Sequence, residues 1–211
     1  MRNCIVWVYL LSLLGCSTQM EPYKAAEVVS VDSSLVHVGS PQNYADDVEN
    51  LTNDYLQALK EQNYKKLANL MDTDSIKSLH DMFIVFGTKA EAEGKFDEVR
   101  IGPFSKYKNA AQFENASVQE FYANFIQMAL EKEPKALEIF SKADFKYIGV
   151  VSETKQNGYA VYKLKLDIDG YELEVADLLP ITFRDGKVTA SMPEEMEAFT
   201  TAIKKKLAKG I

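Results

Sequence analysis

The residues best suited to chemistry are scarce in this chain of 211 residues. Its only cysteines are Cys4 and Cys16, and its only histidines are His37 and His80. A zinc site needs about four such ligands close together, and the wide spacing of these residues predicts none. The motifs of serine hydrolases, phosphate-binding loops and dinucleotide-binding folds are absent from the sequence. We therefore expect no metal, no cofactor and no catalytic residue, and we predict that the chain is not an enzyme.

The first fifteen residues have the arrangement of a secretion signal. Arg2 and the amino terminus are positive, and residues 5–14 are apolar apart from Ser12. A run of about ten residues is too short for a helix that spans a bilayer, for which ~20 residues are needed. A positive start followed by a short apolar run is typical of a signal peptide.

A small residue and a cysteine follow this apolar run. Leu13-Leu14-Gly15-Cys16 resembles the lipobox of bacterial lipoproteins. The resemblance implies that the chain is cut before Cys16, that the Cys16 sulfur is diacylated and that the new amino terminus is acylated. Three acyl chains exceed the two signals that stable anchoring requires. The alternative is an ordinary signal peptide with an incidental cysteine.

The residue after the cysteine bears on the location. Gram-negative lipoproteins that stay at the inner membrane tend to carry aspartate at this position, and this chain has Ser17. The resemblance therefore implies a lipid-anchored protein of the outer membrane that faces the periplasm.

Composition limits what the rest of the chain can bind. It has 24 basic and 31 acidic residues, a formal net charge of −7, which argues against nucleic acid as a partner. With Cys4 in the signal and Cys16 in the anchor, no disulfide can form. Stability must come from a hydrophobic core, and 46% hydrophobic residues can supply one.

We expect three regions in the chain. Residues 1–15 are the cleaved signal, residues 16–42 are the lipidated cysteine and a tether, and residues 43–211 are a single domain. The tether is not uniformly polar, because residues 28–38 are rich in valine. We expect this arm to lie against the domain or to dock on a partner.

The first part of the domain has a helical period, because apolar residues recur three to four apart. Gly87 is expected to end the second helix, since glycine is common just past a helix C-terminus. A strand is predicted around residues 98–101. The first helix is predicted to start at Ser40-Pro41, with Ser40 as N-cap and Pro41 at N1, and to have a break near Asn63. The other predicted helices start near Asp72, Ser117, Pro134 and Ser191, and the one at Ser117 has a Ser117–Glu120 capping box.

After residue 143 the apolar period becomes two, which predicts strands. Asp169-Gly170 and Asp185-Gly186 are residue pairs favoured in two-residue hairpin turns. The first turn would pair Leu164 with Val175 and put the aliphatic side chains on one face of the sheet. Leu179-Pro180 must be a bulge or an edge, because proline cannot donate to the ladder.

Helices followed by an antiparallel meander predict an α+β fold. We expect N-terminal helices packed on a curved antiparallel sheet of about four strands, plus a C-terminal helix. The order resembles the nuclear-transport-factor-two-like, or cystatin-like, fold, and residues 55–67 look like its opening helix. The resemblance covers roughly residues 44–192 and is architectural, with more helix than the minimal fold has. It implies no activity, because many folds host unrelated functions.

The resemblance implies a pocket between the sheet and the helices. The predicted register places Tyr162 opposite Asp177 at one end of the apolar face, where they could orient a ligand or shift each other's pKa. Alternatively, the two form a structural hydrogen bond, or a bulge turns Asp177 to solvent. His80 lies one position from the apolar stripe of its helix, so it either lines the same pocket or lies at the surface.

Three functions remain open. The one we favour is a non-enzymatic envelope lipoprotein, held to the membrane by lipid on Cys16, that binds a small apolar ligand or another envelope protein. The second is an accessory subunit that docks on an envelope complex through residues 28–38. The third is an enzyme that uses Asp177 or His80 as a general base.

Overall fold

The computed structural model describes residues 44–99, 104–131, 134–168 and 170–192. Within them, helices come first and a four-stranded antiparallel sheet follows, so the chain has the α+β fold that the sequence predicts. Outside the described residues lie Cys16, the tether with the helix start predicted at Ser40-Pro41, the arm with His37, and the predicted C-terminal helix from residue 193 on. The helices are α1 Ala45–Lys60, α2 Tyr64–Leu70, α3 Thr73–Ala92, α4 Phe96–Val99, α5 Ala110–Glu114, α6 Val118–Glu131 and α7 Pro134–Lys142. The strands are β1 Asp144–Ser152, β2 Asn157–Ile168, β3 Tyr171–Arg184 and β4 Lys187–Ala190.

The helix starts follow from local capping. The side chain of Asn63 accepts from the Lys66 N–H at 3.0 Å, which restarts the helix after the predicted break. Asp72 accepts from the Ser75 N–H at 2.8 Å and so caps α3. Ser117 Oγ accepts from the backbone N–H of residue 120 at 3.1 Å, the first half of the predicted capping box.

Gly87 does not end the second long helix, so that prediction is wrong. Helix α3 continues through it to Ala92, and Gly94, with φ of 70°, follows its end. A β-carbon on Gly87 would lie 2.8 Å from Cε1 of Phe104, closer than real contacts allow. Glycine is therefore present because the Phe104 ring packs directly on the helix backbone.

The strand predicted around residues 98–101 is also wrong where the chain is described. Phe96–Val99 forms one helical turn, α4. Phe96 is buried, and its ring lies 5.7 Å from that of Phe104. The burial of one aromatic side chain thus decides the conformation of a segment whose sequence pattern is weak.

The sheet has the order β1-β2-β3-β4 with every neighbouring pair antiparallel. The register predicted from the first turn is confirmed, because Leu164 pairs with Val175. Across the second turn, Phe183 pairs with Val188. The turn before β4 has positive φ at both central residues, 51° at Asp185 and 73° at Gly186. This is the backbone of the turn type whose twist matches that of the flanking strands.

Of the two predictions for Leu179-Pro180, the edge is observed and the bulge is not. Pairing with β2 runs through Pro180 without a shift. The Pro180 carbonyl accepts from the Ser191 N–H at 2.8 Å. The Pro180 nitrogen, which carries no hydrogen, is on the same side of β3, toward the end of β4. The ladder between β3 and β4 stops at Ile181. The described bulge lies in β1 instead, between Tyr147 and Gly149.

Helix α1 is the centre of the core. It contacts β1, β2 and β4 as well as helices α2 and α7, and its Val48 and Ala58 are completely buried. Helix α3 packs chiefly on α4, α5 and α6, so it belongs to a helical layer farther from the sheet. The domain therefore has two buried regions, one between the sheet and the helices and one among the helices.

Candidate functional site

Tyr162 and Asp177 meet as the predicted register requires. They are paired across β2 and β3, and the Tyr162 hydroxyl donates to Asp177 Oδ2 at 3.0 Å. The other carboxyl oxygen, Oδ1, accepts from the Leu178 N–H at 2.8 Å. Tyr162 is 5% exposed and Asp177 is 6% exposed. Both carboxyl oxygens therefore have partners within the sheet, which is the arrangement of a structural hydrogen bond.

The space beside Tyr162 is small. A cavity of about 20 Å³ lies between the sheet and the helices, lined by Tyr162 and by apolar side chains such as Leu56, Leu130 and Phe140. A single water molecule needs roughly 10–15 Å³, whereas pockets for small-molecule ligands measure about 300–1,000 Å³. The apolar ligand that we expected between sheet and helices does not fit in this cavity.

His80 lies in the helical layer and is enclosed by aromatic rings. It is 4% exposed. The centroid of its ring lies 5.4 Å from that of the Phe113 ring and 5.0 Å from that of the Phe121 ring. Burial lowers the pKa of His80, and a hydrogen bond to the backbone of Phe113 partly offsets this. Its Nε2 atom is buried without a hydrogen-bond partner among the described residues.

The three predicted pocket residues thus do not form one site. Tyr162 and Asp177 are joined within the sheet, whereas His80 packs between α5 and α6 on the side of α3 that faces other helices. The aromatic residues Phe121 and Phe125 are core residues, since both are at least 98% buried.

A larger concave surface lies elsewhere in the described part of the chain. An open cleft of about 900 Å³ has one wall at residues 61–69, around α2, and the other at residues 117–127, in and just before α6. We call it the amide cleft, because half of its twelve lining side chains are carboxamides. These are Gln62, Asn63, Asn69, Gln119, Asn124 and Gln127.

A lysine orients the α6 wall of the amide cleft. Lys106 Nζ donates to Asn124 Oδ1 at 2.7 Å and to Gln127 Oε1 at 3.1 Å. The amide nitrogens donate in turn, from Asn124 to the Tyr107 hydroxyl at 3.2 Å and from Gln127 to Glu131 at 2.7 Å. A carboxamide has two N–H donors and two lone pairs. Within the described structure, each of these two amides therefore keeps one donor and one acceptor for a further partner.

Gln62 lines the opposite wall from an unusual backbone conformation. Its φ is 55°, in the left-handed region. The Asn63 N–H bonds to the Ala58 carbonyl at 2.8 Å and the Gln62 N–H to the Leu59 carbonyl at 3.1 Å, which is the Schellman pattern. Glycine is the usual residue at this position, and a side chain there costs about 1–2 kcal/mol. An outlier of this kind favours a role for the side chain.

Few of the residues that line the amide cleft are charged or apolar. Glu61 and Glu120 are its acidic lining residues and Lys65 is its basic one, so the lining has a net charge of −1. Ala123 and Tyr64 are its apolar and aromatic lining residues, and the Tyr64 hydroxyl is buried. Half of the lining residues thus carry a neutral group that both donates and accepts hydrogen bonds.

The sequence alone does not reveal this cleft. Amides on helices α2 and α6 read as ordinary solvent-facing residues, and their spacing matches no motif. The nearest signal in the sequence is the break in the helical period at Gln62-Asn63, which indicates a helix end and not a cleft. The backbone conformation of Gln62 becomes visible only in the structure.

The described residues contain neither a candidate metal site nor a candidate membrane span. No group of three or more histidine, cysteine, aspartate or glutamate side chains there could hold a metal ion. Nor does that part of the chain contain a helix with the length and apolar character needed to cross a membrane.

Comparison with known proteins gives no match: no protein-family model fits the chain, and neither a curated protein nor a solved structure is significantly similar to it.

Proposed function

We propose that the chain is a cell-envelope lipoprotein, anchored by acyl chains on Cys16, whose α+β domain binds a partner and does not catalyse a reaction. The support for the anchor is the sequence before Cys16. A positive start, a short apolar run and Leu13-Leu14-Gly15-Cys16 occur together in the order of a lipoprotein signal. The outer membrane is the proposed location, because Ser17 follows the cysteine.

The observation that supports a binding role is the difference between the two concave regions. The amide cleft measures about 900 Å³, whereas the cavity between sheet and helices measures about 20 Å³. A volume of 900 Å³ lies within the usual range for ligand sites, about 300–1,000 Å³. The domain therefore offers a partner an open surface site.

The positions of Asp177 and His80, the two candidate general bases, favour binding over catalysis. A general base must reach the proton that it removes. Asp177 uses its two oxygens within the sheet, on Tyr162 and on the Leu178 N–H. His80 is enclosed by Phe113 and Phe121. Neither residue lines the amide cleft.

The anchor is tested by replacing each cysteine in turn. With the full chain expressed in a Gram-negative host, wild type and Cys4→Ala should both incorporate labelled fatty acid and enter the detergent phase on phase separation. Cys16→Ala should do neither. The matched control is Cys4→Ala, because both substitutions remove a cysteine from the first sixteen residues. If Cys16→Ala still takes up label and remains in the envelope fraction, the lipoprotein proposal is wrong.

The location is tested separately by density-gradient fractionation of the two membranes. The wild-type chain should sediment with the outer membrane, and Ser17→Asp should shift it to the inner membrane. An unchanged distribution for Ser17→Asp would refute the sorting argument and leave the anchor intact.

A further inference from the structure

We propose that the amide cleft binds a neutral, hydroxyl-rich ligand, namely a short oligosaccharide. This inference rests on the proposed function to the extent that it treats the domain as a binding module. It concerns what the cleft recognises, which the anchor does not determine.

The first argument is the match between groups. A sugar hydroxyl both donates and accepts a hydrogen bond, and so does a carboxamide side chain. Six of the twelve side chains that line the cleft are carboxamides, on both of its walls. A ligand with many closely spaced hydroxyls can satisfy such a surface without bringing any charge.

The second argument is that part of the cleft is already ordered. Lys106 holds Asn124 and Gln127, and Gln119 Nε2 donates to the Thr73 hydroxyl at 2.8 Å. Side chains held by their own contacts lose less freedom when a ligand binds. This order favours a ligand that needs several hydrogen bonds in fixed directions.

The third argument is Gln62. The left-handed position after α1 favours glycine, yet it carries a side chain that lines the cleft. A backbone strain retained at the rim of a cleft is common at ligand sites. Gln62 lies on the α2 side of the cleft and Gln119 on the α6 side, so a ligand that spans the cleft can contact both residues.

Other classes of ligand fit less well. An anion such as a phosphate would meet Glu61 and Glu120 with Lys65 as the basic lining residue. A protein partner binds chiefly through large apolar or aromatic anchors in well-packed pockets. Ala123 and Tyr64 are the apolar and aromatic residues among those that line the amide cleft, which is few for such a pocket.

The test is titration of the full chain with defined tetrasaccharides. Maltotetraose, cellotetraose and the tetramer of N-acetylglucosamine are the probes, followed by calorimetry and by saturation-transfer NMR. The detergent must lack a sugar headgroup, because such a headgroup would compete for the cleft. We expect at least one of the three to bind at millimolar concentration or below. Binding of none of them, or binding of tetraalanine in their place, would overturn the inference.

Variants locate the binding. Asn69→Ala should weaken the titrated affinity about three- to tenfold, the effect of losing one neutral hydrogen bond. The matched control is Asn53→Ala, which also replaces an exposed helical asparagine but lies outside the cleft. Gln62→Gly should weaken binding. The thermal midpoint of this variant should stay the same or rise, because glycine adopts the left-handed backbone conformation of residue 62 without strain. Unchanged affinity in both cleft variants would mean that the sugar binds elsewhere.

The outcomes separate this inference from the proposed function. If Cys16→Ala remains in the envelope fraction and the tetrasaccharide binds as expected, the proposed lipid anchor is wrong and the proposed sugar site is supported. If chromatography shows that the bound tetrasaccharide is cleaved, the non-enzymatic role is wrong and the ligand class stands. If the anchor is confirmed and no sugar binds, only the inference fails.

Discussion

Tyr162 and Asp177 share a hydrogen bond of 3.0 Å across the middle of the sheet, and both side chains are buried. Tyr162→Phe removes the donor and leaves a buried carboxyl oxygen without that partner. We expect the free energy of unfolding to fall by about 1–3 kcal/mol, as measured by urea denaturation.

The control for this change is Tyr171→Phe. Tyr171 is 79% exposed on the same β2–β3 hairpin, so its hydroxyl loses only a water contact and stability should not change. If Tyr162→Phe were as harmless as Tyr171→Phe, the bond would not contribute to the fold.

For Tyr122, in contrast to Tyr162, we expect the loss of the hydroxyl to stabilise the protein. It is completely buried in α6, and its hydroxyl has no hydrogen-bond partner among the described residues. Burial raises the pKa of Tyr122 well above its usual value, with a smaller contribution from Tyr55. Tyr122→Phe removes an unpaired polar group, so we expect unfolding to become harder by up to about 1 kcal/mol. A marked loss of stability in the urea curve would contradict this account.

His80 should make stability depend on pH. Burial lowers its pKa in the folded state, and the nearest charges, Asp81 and Lys77, act in opposite directions. The unfolded chain therefore takes up the proton first as the pH falls through about 6.5. Since the unfolded state then binds more protons, stability decreases below that pH and not above it.

This dependence can be isolated with His80→Gln. The free energies of unfolding of wild type and variant are compared between about pH 7.5 and 5.5, a range that spans the ordinary histidine pKa. Wild type should lose stability relative to the variant toward the acidic end. Parallel curves would mean that the pKa of His80 is the same in the folded and unfolded chains.

Gly87→Ala should destabilise the protein although alanine favours helices. The new β-carbon would lie 2.8 Å from Cε1 of Phe104. The Phe104 side chain is 1% exposed, and the centroid of its ring lies 4.6 Å from that of Phe113. Overpacking costs about 1–3 kcal/mol, against about 1 kcal/mol gained in helix propensity. We expect a lower thermal midpoint.

Two further variants check this explanation. Gly149→Ala is the matched control, because a β-carbon there meets nothing within 4 Å, and it should leave the midpoint unchanged. Gly87→Ala combined with Phe104→Leu should be less unstable than the sum of the two single changes. Strict additivity would argue against a clash between the two residues.

Local rules account for the parts of the fold that were predicted correctly. The caps at Asn63 and Asp72 act within three residues. The register of β2 on β3 follows from one turn and a period of two, which together determine every pair from Leu164–Val175 to Tyr162–Asp177. The interactions that decide these features join residues close in sequence or paired by one hairpin.

The errors have a different cause. Gly87 looks like a helix end until Phe104 is seen against it. Phe96 is helical because its ring packs on the same aromatic cluster. These outcomes depend on contacts between separate elements, and no local pattern contains them.

By itself, the sequence determined the α+β order of elements and the strand register, and the anchor that we propose at Cys16 rests on the sequence alone. Only the tertiary structure decided that Tyr162 and Asp177 satisfy each other, that His80 lies apart from them, and that α2 and α6 form the amide cleft. The physical reason is range. Capping and turn formation are local, whereas the volume and lining of a cavity depend on how distant elements pack.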